Sequence, residues 1–163
     1  MSGWFFILAQ IATLAYALVG GVFLAFSDFI MRSFSHTSGA SGVEAMQIIN
    51  REVFRWVFMA LFLGLALVSL GMTVYGLMAV GGSTGALMAF AGLSYFIGCF
   101  GVTIVFNVPM NDTLADMDIS QPATLEYWTR TYLPRWTFWN TIRAASCTVA
   151  AAVTLFGLLW RGA

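Results

Sequence analysis

The chain has 163 residues, of which 60% are hydrophobic, 16% aromatic and 9% charged, and its formal net charge is zero. Soluble domains carry about 25% charged residues, so this composition and a mean hydropathy of +0.86 exclude an ordinary soluble domain and indicate an integral membrane protein. A neutral chain without lysine offers no basic surface to a nucleic acid, and its length predicts a single domain over residues 1–163.

Four apolar segments are long enough to cross a bilayer, which takes about 20 helical residues. They lie at about Trp4–Phe26, Trp56–Val80, Ala86–Phe106 and Phe138–Trp160. Backbone polar groups in lipid must be satisfied within the segment, so each span is predicted to be a helix. GGST, residues 81–84, predicts a short turn between antiparallel neighbours. The predicted fold is all-α, a four-helix transmembrane bundle with short amphipathic interfacial helices on one side.

The first long loop, residues 27–55, contains the stretch SGVEAMQIINREVFRW. Its apolar residues recur at helical spacing, which predicts an amphipathic extension of the second span. Ser41 followed three positions later by Glu44 matches a capping box, so the helix is expected to begin there.

The second long loop covers residues 107–137. Proline lacks an N–H and restricts the residue before it, so Pro109 predicts that the third helix ends near Val108. Asp112 is then the predicted N-cap of a short interfacial helix, and another such helix is predicted to start near Pro122.

Most of the arginines lie in these two loops, on one side of the predicted bundle. Because the arginine count sets membrane orientation, this side is predicted to be cytoplasmic, with both termini outside. We expect the protein in a bacterial inner membrane. The arginines concerned are Arg32, Arg51, Arg55, Arg130 and Arg135.

Polar side chains also stand at this same end of all four spans. Antiparallel packing brings the four groups together, and the spacing i, i+3, i+4, i+7 on the fourth span puts its members on one helical face. The groups are Ser27 and Asp28; Asn50, Arg51 and Arg55; Asn107, Asn111 and Asp112; and Trp136, Trp139, Asn140 and Arg143.

Arg143 is the most costly of these residues to place in a membrane. An arginine at the centre of a spanning helix costs about 2.5–3.5 kcal/mol on insertion scales, so it must face the bundle and find a partner. Asp28 and Asp112 are the candidate partners. Two interpretations stay open: a structural ion pair beside an aromatic anchor belt, or a polar pocket open to the cytoplasmic leaflet. The belt would consist of Tyr127, Trp128, Tyr132, Trp136 and Trp139.

Several other chemistries find little support. His36 is the single histidine, which excludes two-histidine haem ligation within the chain, and no metal site is predicted. Cys99 and Cys147 fall in apolar runs and are predicted to be packing residues. Asn107 needs a specific interaction, because its polar side-chain amide lies within the apolar run of the third span. We expect it to face the bundle and find a hydrogen-bond partner there.

Four blocks of sequence are informative in combination: GGVFLAFSDFIM, MQIINREVFRWVFMALFLG, FGVTIVFNVPMNDTLA and RWTFWNTIR. Together and in this order they resemble the anthrone oxygenase-like family of small four-span membrane proteins. The resemblance implies that fold, and some fungal members are linked to oxidation of anthrones to anthraquinones without metal or flavin. Many bacterial members have no assigned function. The blocks place on the family pattern Asn50, Arg51, Asn107, Asn111, Trp136, Trp139, Asn140 and Arg143.

The resemblance favours a cofactor-independent oxygenase that acts on a lipophilic aromatic compound such as an anthrone, phenol or quinol. Such a reaction needs a base, hydrogen bonds to a developing oxyanion, and a dry pocket. The candidates are Asp28 or His36 as base; Asn107, Asn140 and Arg143 as oxyanion donors; Trp136 and Trp139 for ring stacking; and Asn50, Arg51 and Asn111 as further substrate contacts.

Two other functions stay open. The same polar cluster could belong to a non-catalytic membrane module that binds a lipid or quinone or supports a partner protein, or to a small transporter or channel. In each case the expected partners are the lipid bilayer and a lipophilic small molecule, with a homo-oligomer or membrane partner as a further alternative. No cofactor is expected beyond a bound lipid or quinone.

Overall fold

The structure, a computed structural model, describes residues 1–160. It contains four helices that are long and apolar enough to span a membrane, and one short amphipathic helix between the first two. These elements confirm the predicted all-α bundle of an integral membrane protein. The helices are α1 (Gly3–Ser35), α2 (Ser41–Glu52), α3 (Trp56–Val80), α4 (Gly82–Ala115) and α5 (Pro122–Trp160).

The spanning helices form a ring in which α5 packs between α1 and α4, and α3 packs on α4 and more sparingly on α1. Small residues allow the close contacts, as expected in lipid, where packing replaces the hydrophobic effect. A methyl group on Gly92 would overlap the Ser69 carbonyl, and one on Gly98 would overlap Ser146. The turn between α3 and α4 is shorter than predicted: Gly81 and Gly82, at φ +66° and +59°, make it alone.

Helix α2 is separate from α3, so the prediction of one continuous extension is wrong. The chain leaves helical geometry after Glu52, and Arg55 is extended before α3 begins. The break lets the apolar face of α2 fold onto the end of α4, where Gln47 Nε2 donates to the Leu114 and Met117 carbonyls at 2.7 and 2.9 Å. The capping box is also absent, since Ala40 occupies the N-cap without a side-chain hydrogen bond.

Helix α4 was predicted to end near Val108, before Pro109, and this prediction is wrong. The helix continues to Ala115. A π-helical turn over Thr103–Asn107 precedes the proline, and the Val108 N–H bonds to the Thr103 carbonyl across it. Pro109 therefore falls in the first turn of the following α-helical segment, where a missing N–H is tolerated. Asp112 lies inside this segment and is not an N-cap.

Helix α5 begins at Pro122, as predicted, but runs without interruption into the fourth span. The predicted aromatic belt is wrong for its central members, because Trp128, Tyr132 and Trp136 are buried. Their rings stack along α5 with centroid separations of 5.3 and 6.1 Å. Helical spacing turns this face towards α2 and α4, whose apolar side chains cover it.

Candidate functional site

A cavity of about 580 Å³ lies at the end of the bundle that carries the long loops. Its volume falls within the range of small-molecule sites, about 300–1,000 Å³. Four phenylalanines form much of its apolar wall, with ring centroids 5.6–6.5 Å apart: Phe23, Phe58, Phe62 and Phe100. Its polar lining consists of Asn50, Arg51, Thr103, Asn111, Asp112, Trp136 and Arg143.

Arg143 reaches this cavity from α5, and only 4% of the residue is exposed. Its guanidinium carbon lies 4.2 Å from the centroid of the Phe23 ring and 5.1 Å from that of Trp136. Cation–π contacts of this kind partly replace lost hydration. The hydrogen-bond acceptors are neutral: Nη2 donates to Asn140 Oδ1 at 2.6 Å and Nη1 to Thr103 Oγ1 at 3.2 Å.

The predicted ion pair between Arg143 and Asp28 or Asp112 is wrong. The ion pairs among residues 1–160 join Arg55 to Glu52 and Arg130 to Glu126, and both lie on the surface. Nε of Arg143 is buried and has no hydrogen-bond partner in this part of the chain. The guanidinium is therefore a buried positive charge on a cavity wall, and no carboxylate of the described residues pairs with it.

Asn140 fixes this guanidinium in place. Its Nδ2 donates to the Phe23 carbonyl and to Ser27 Oγ, each at 2.6 Å, while its Oδ1 accepts from Arg143. Phe23 is the same residue whose ring covers the guanidinium. Directly after it, a π-helical turn over Phe26–Ile30 interrupts the α-helical hydrogen-bond pattern of α1. Asn140 thus ties α1 to α5 at the level of the charge.

A second polar network lies nearer the loops. Asn111 Oδ1 accepts from the Tyr132 hydroxyl and from Trp136 Nε1, both at 2.8 Å, and the Tyr132 hydroxyl also accepts from Asn50 Nδ2 at 3.3 Å. These bonds connect α2, α4 and α5 around the cavity end. Every member has a hydrogen-bond partner, so the network is a rigid rim.

Asn107 stands behind the cavity wall, between α4 and α5. It is fully buried, and its Nδ2 donates to the Trp136 carbonyl at 3.2 Å. Its Oδ1 has no partner among residues 1–160. The inward partner expected from the sequence is therefore a backbone carbonyl of α5, and Asn107 does not line the cavity.

The structure separates the sequence-predicted residues into two groups. Asn50, Arg51, Asn111, Trp136 and Arg143 line the cavity. The other five lie outside its lining: two are buried, one is half-buried and two are exposed. Asn107 and Asn140 support the wall from behind, Trp139 stacks on Phe106 at 3.6 Å between ring centroids, and Asp28 and His36 are exposed, the latter bonded within its own turn.

Three cavity residues were missed or given another role at the sequence level. Asp112 was expected to cap a helix, but it stands on the exposed rim of the cavity. Thr103, which contacts Arg143, had no polar neighbour in sequence to mark it. Phe23 was one of many aromatics, and only its place one helical turn before Ser27 could have suggested a role.

The chain contains no grouping of three or more His, Cys, Asp and Glu side chains suited to a metal ion within residues 1–160. Three of the five π-helical turns in residues 1–160 contain cavity-lining residues, and two of them, Phe26–Ile30 and Thr103–Asn107, lie beside the contacts of Arg143. Such turns occur frequently at functional sites, because they re-aim side chains within a helix. Here they adjoin Phe23 and contain Thr103, the two contacts that α1 and α4 make with Arg143.

No curated protein and no solved structure matches the chain. The family model described as anthrone oxygenase matches residues 51–153, which is more than half of the chain. The matched range includes Arg143 and most of the other polar residues that line the cavity. With four spanning helices and the sequence blocks described above, the match is decisive at the level of family. The chain belongs to the anthrone oxygenase family.

Proposed function

We propose that this protein oxidises a lipophilic aromatic weak acid, such as an anthrone or a quinol, with O₂ and without a cofactor. The observation that carries the proposal is Arg143, a buried guanidinium on the wall of a 580 Å³ aromatic cavity with no carboxylate partner among residues 1–160. An uncompensated buried charge is costly, and an anion in the cavity would remove that cost. The family assignment supports the same class of reaction.

The favoured role of Arg143 is to stabilise the oxyanion that forms when the substrate loses a proton. In a low-dielectric cavity a fixed positive charge acts more strongly than it does in water, and it needs no reorganisation during the reaction. Asn140 and the Phe23 and Trp136 rings hold the guanidinium in a single position. The bound enolate or phenolate is thereby favoured over its neutral acid.

The proposed reaction needs no external reductant. For an anthrone, a base removes one proton from the methylene carbon, and the resulting electron-rich enolate reduces O₂ as a carbon–oxygen bond forms. The hydroperoxide then loses water as the oxygen–oxygen bond breaks, which leaves the second carbonyl of the anthraquinone. One oxygen atom of O₂ enters the product and the other leaves as water, so the electrons balance.

We assign the base to Asp112. Asp28 and His36, the candidates from the sequence, are exposed and do not line the cavity, whereas Asp112 lines it and is exposed at its rim. A carboxylate at the rim can take a proton from a bound substrate and pass it to water. Thr103, the contact of Arg143, precedes Asp112 by nine positions, or about 13 Å along a helix at 1.5 Å per residue. Base and oxyanion donor thus lie at two levels of the cavity, and the side chains of both reach towards the ligand between them.

The test is anaerobic incubation of the purified protein with anthrone in lipid nanodiscs, followed by admission of O₂. We expect the anthrone enolate to accumulate before O₂ is added, and anthraquinone to appear afterwards faster than in protein-free nanodiscs. Arg143→Met should abolish both phases, while Arg130→Met, which alters an exposed arginine, should retain them. Rates equal to those of protein-free nanodiscs would refute the proposal for this substrate.

A second function is supported by the predominantly apolar lining of the cavity, namely non-catalytic binding of a quinone or lipid. The discriminating measurement is mass spectrometry of compounds that co-purify with the protein, combined with O₂ consumption. A tightly bound quinone that stays unchanged under O₂ would favour the binding module. The cavity lies at one end of the bundle, which gives transport no support.

A further inference from the structure

We infer that the cavity receives its ligand from the hydrocarbon core of the membrane, through a side opening between α1, α3 and α4, and therefore selects compounds that are uncharged until they are bound. The chemical class of the ligand rests on the proposed function. The opening itself rests only on the geometry of the cavity wall.

Among the apolar residues that line the cavity and are also exposed, Phe54 and Ala115 stand at the loop end, and three others lie within the predicted spans and define the side opening. They are Val22 on α1, Leu63 on α3 and Ile104 on α4, with 41%, 48% and 50% of the residue exposed. A residue that meets both conditions lies at the edge of the cavity. The three come from three different spanning helices, so the edge they mark lies on the side of the bundle.

All three residues lie within the apolar segments predicted to span the membrane. Leu63 follows Trp56, the first residue of α3, by seven positions, or about 10 Å along the helix axis. Ile104 is next to Thr103, whose hydroxyl accepts from Arg143. A ligand that passes this edge therefore meets the guanidinium at the same level, without first crossing the polar rim.

The other edge of the cavity, which includes the exposed Phe54, differs in carrying charged side chains. Arg51 on α2 and Asp112 near the end of α4 are exposed polar residues that line the cavity on the loop side. The site thus has an apolar opening in the bilayer and a charged rim at the membrane surface. A permanently charged compound is strongly disfavoured in hydrocarbon, whereas a neutral weak acid crosses it and can ionise beside Arg143. The released proton has a route to water at the rim.

The experiment compares two substrates on the full-length protein in lipid vesicles. The first is unsubstituted anthrone, which partitions into the bilayer, and the second is an anthrone carrying a sulfonate group, which stays in water. We expect accelerated oxidation of the first and a rate indistinguishable from protein-free vesicles for the second. Equal kcat/KM values for the two compounds would overturn the inference.

A matched pair of variants tests the opening directly. Ile104→Trp narrows the edge, whereas Val105→Trp adds the same ring at an adjacent residue that is 61% exposed and does not line the cavity. We expect Ile104→Trp to lower kcat/KM for anthrone at least tenfold with little change in kcat, and Val105→Trp to behave as wild type. Identical behaviour of the two variants would contradict the side opening.

A binding measurement separates this inference from the proposed reaction. The association rate of 2-naphthol, a fluorescent weak acid that partitions into bilayers, can be followed by stopped-flow without any oxidation. Slow association in Ile104→Trp, together with a wild-type protein that fails to oxidise anthrone, would refute the proposed oxidation and retain the opening. Unchanged association in Ile104→Trp, together with active oxidation of anthrone, would refute the side opening and retain the proposed oxidation.

Discussion

The two ends of the bundle use the same four helices in opposite ways. At the end with the tight α3–α4 turn, the helices touch through small residues: Gly76 lies against the Gly85 carbonyl, and Gly92 against the Ser69 carbonyl. At the other end the start of α3 stands away from α1 and α4, and the space between them is the cavity. We call the end with the tight turn the closed end and the end with the cavity the open end. The polar groups of the two ends also differ: hydroxyls such as that of Tyr16 form hydrogen bonds within the closed end, whereas the Arg143 guanidinium lines the cavity at the open end.

This difference shows where stability and activity reside. The closed end follows the ordinary rules of packing in lipid, with hydroxyls that bond across α1 and α3, as Tyr16 and Ser69 do at 2.7 Å. The open end retains a buried charge and a cavity, features that lower stability and that proteins keep where function requires them. Changes to the cavity lining should therefore alter activity more than stability, and changes at the closed end the reverse.

The largest expected effect comes from Arg143→Met at the open end. Removing one preorganised oxyanion donor typically costs 10²–10³-fold in rate, so we expect kcat/KM for anthrone to fall about 100-fold or more. The Tm of the ligand-free protein should move by less than about 5 °C, because relief of the buried charge offsets the lost bond to Asn140. Steady-state oxidation and thermal unfolding in nanodiscs check this, and a large loss of Tm with retained activity would invert the comparison.

The second prediction concerns the base. Asp112→Asn should lower kcat about 100-fold, because general bases contribute about 10²–10⁴-fold. Asp28→Asn makes the identical chemical change at an exposed residue outside the cavity, and His36→Ala removes the other candidate from the sequence; both should leave kcat within about twofold. If Asp28→Asn or His36→Ala were the inactive variant, the assignment of the base to the rim would be refuted.

The third prediction addresses the support of the guanidinium. Asn140→Leu removes donors to the Phe23 carbonyl and Ser27 and the acceptor of Arg143, and we expect a loss of about 1–3 kcal/mol in unfolding free energy. The kcat/KM value should also fall about tenfold, since the charge is no longer held. Thr141→Val, at the adjacent exposed residue that bonds Ser27, is the control and should change neither quantity measurably.

The smallest expected effect on activity comes from the closed end. In Gly92→Ala the added methyl meets the Ser69 carbonyl and Thr73, so α3 and α4 must separate, at a cost of about 1–3 kcal/mol. We expect a lower Tm with unchanged kcat/KM. Gly64→Ala, whose methyl meets no atom within 4 Å, should keep or raise the Tm. A loss of activity in Gly92→Ala without a loss of Tm would show that the two ends are coupled.

The fold was largely predictable from the sequence because hydropathy alone marks four spans, and all four were confirmed. The errors came where tertiary contacts override local rules. Pro109 did not end α4, because the π-helical turn before it moved the proline into a tolerated position, and no periodicity reveals such a turn. The predicted capping box is absent because Ser41 is already the first helical residue and Ala40 occupies the N-cap.

The site was predictable in its chemistry but less so in its geometry. The cost of an intramembrane arginine correctly marked Arg143 as inward-facing, yet the same cost suggested a carboxylate partner that it lacks. In place of a carboxylate, the guanidinium has cation–π contacts with Phe23 and Trp136 and a hydrogen bond to the Asn140 side-chain amide. Asp112 was expected at this end of the bundle, but as a helix cap and a partner of Arg143, and its place at the cavity rim depends on α2 folding back and α4 continuing past Pro109.

The most direct measurement of the central claim, that Arg143 stabilises an anion inside the cavity, is the ionisation state of a bound phenol. A nitrophenol that O₂ does not oxidise reports by its absorbance whether it is bound as phenol or phenolate. At a pH where it is neutral in protein-free nanodiscs, we expect phenolate when it binds the wild-type protein and neutral phenol when it binds Arg143→Met. Neutral phenol in the wild-type cavity, or phenolate in both proteins, would contradict the account.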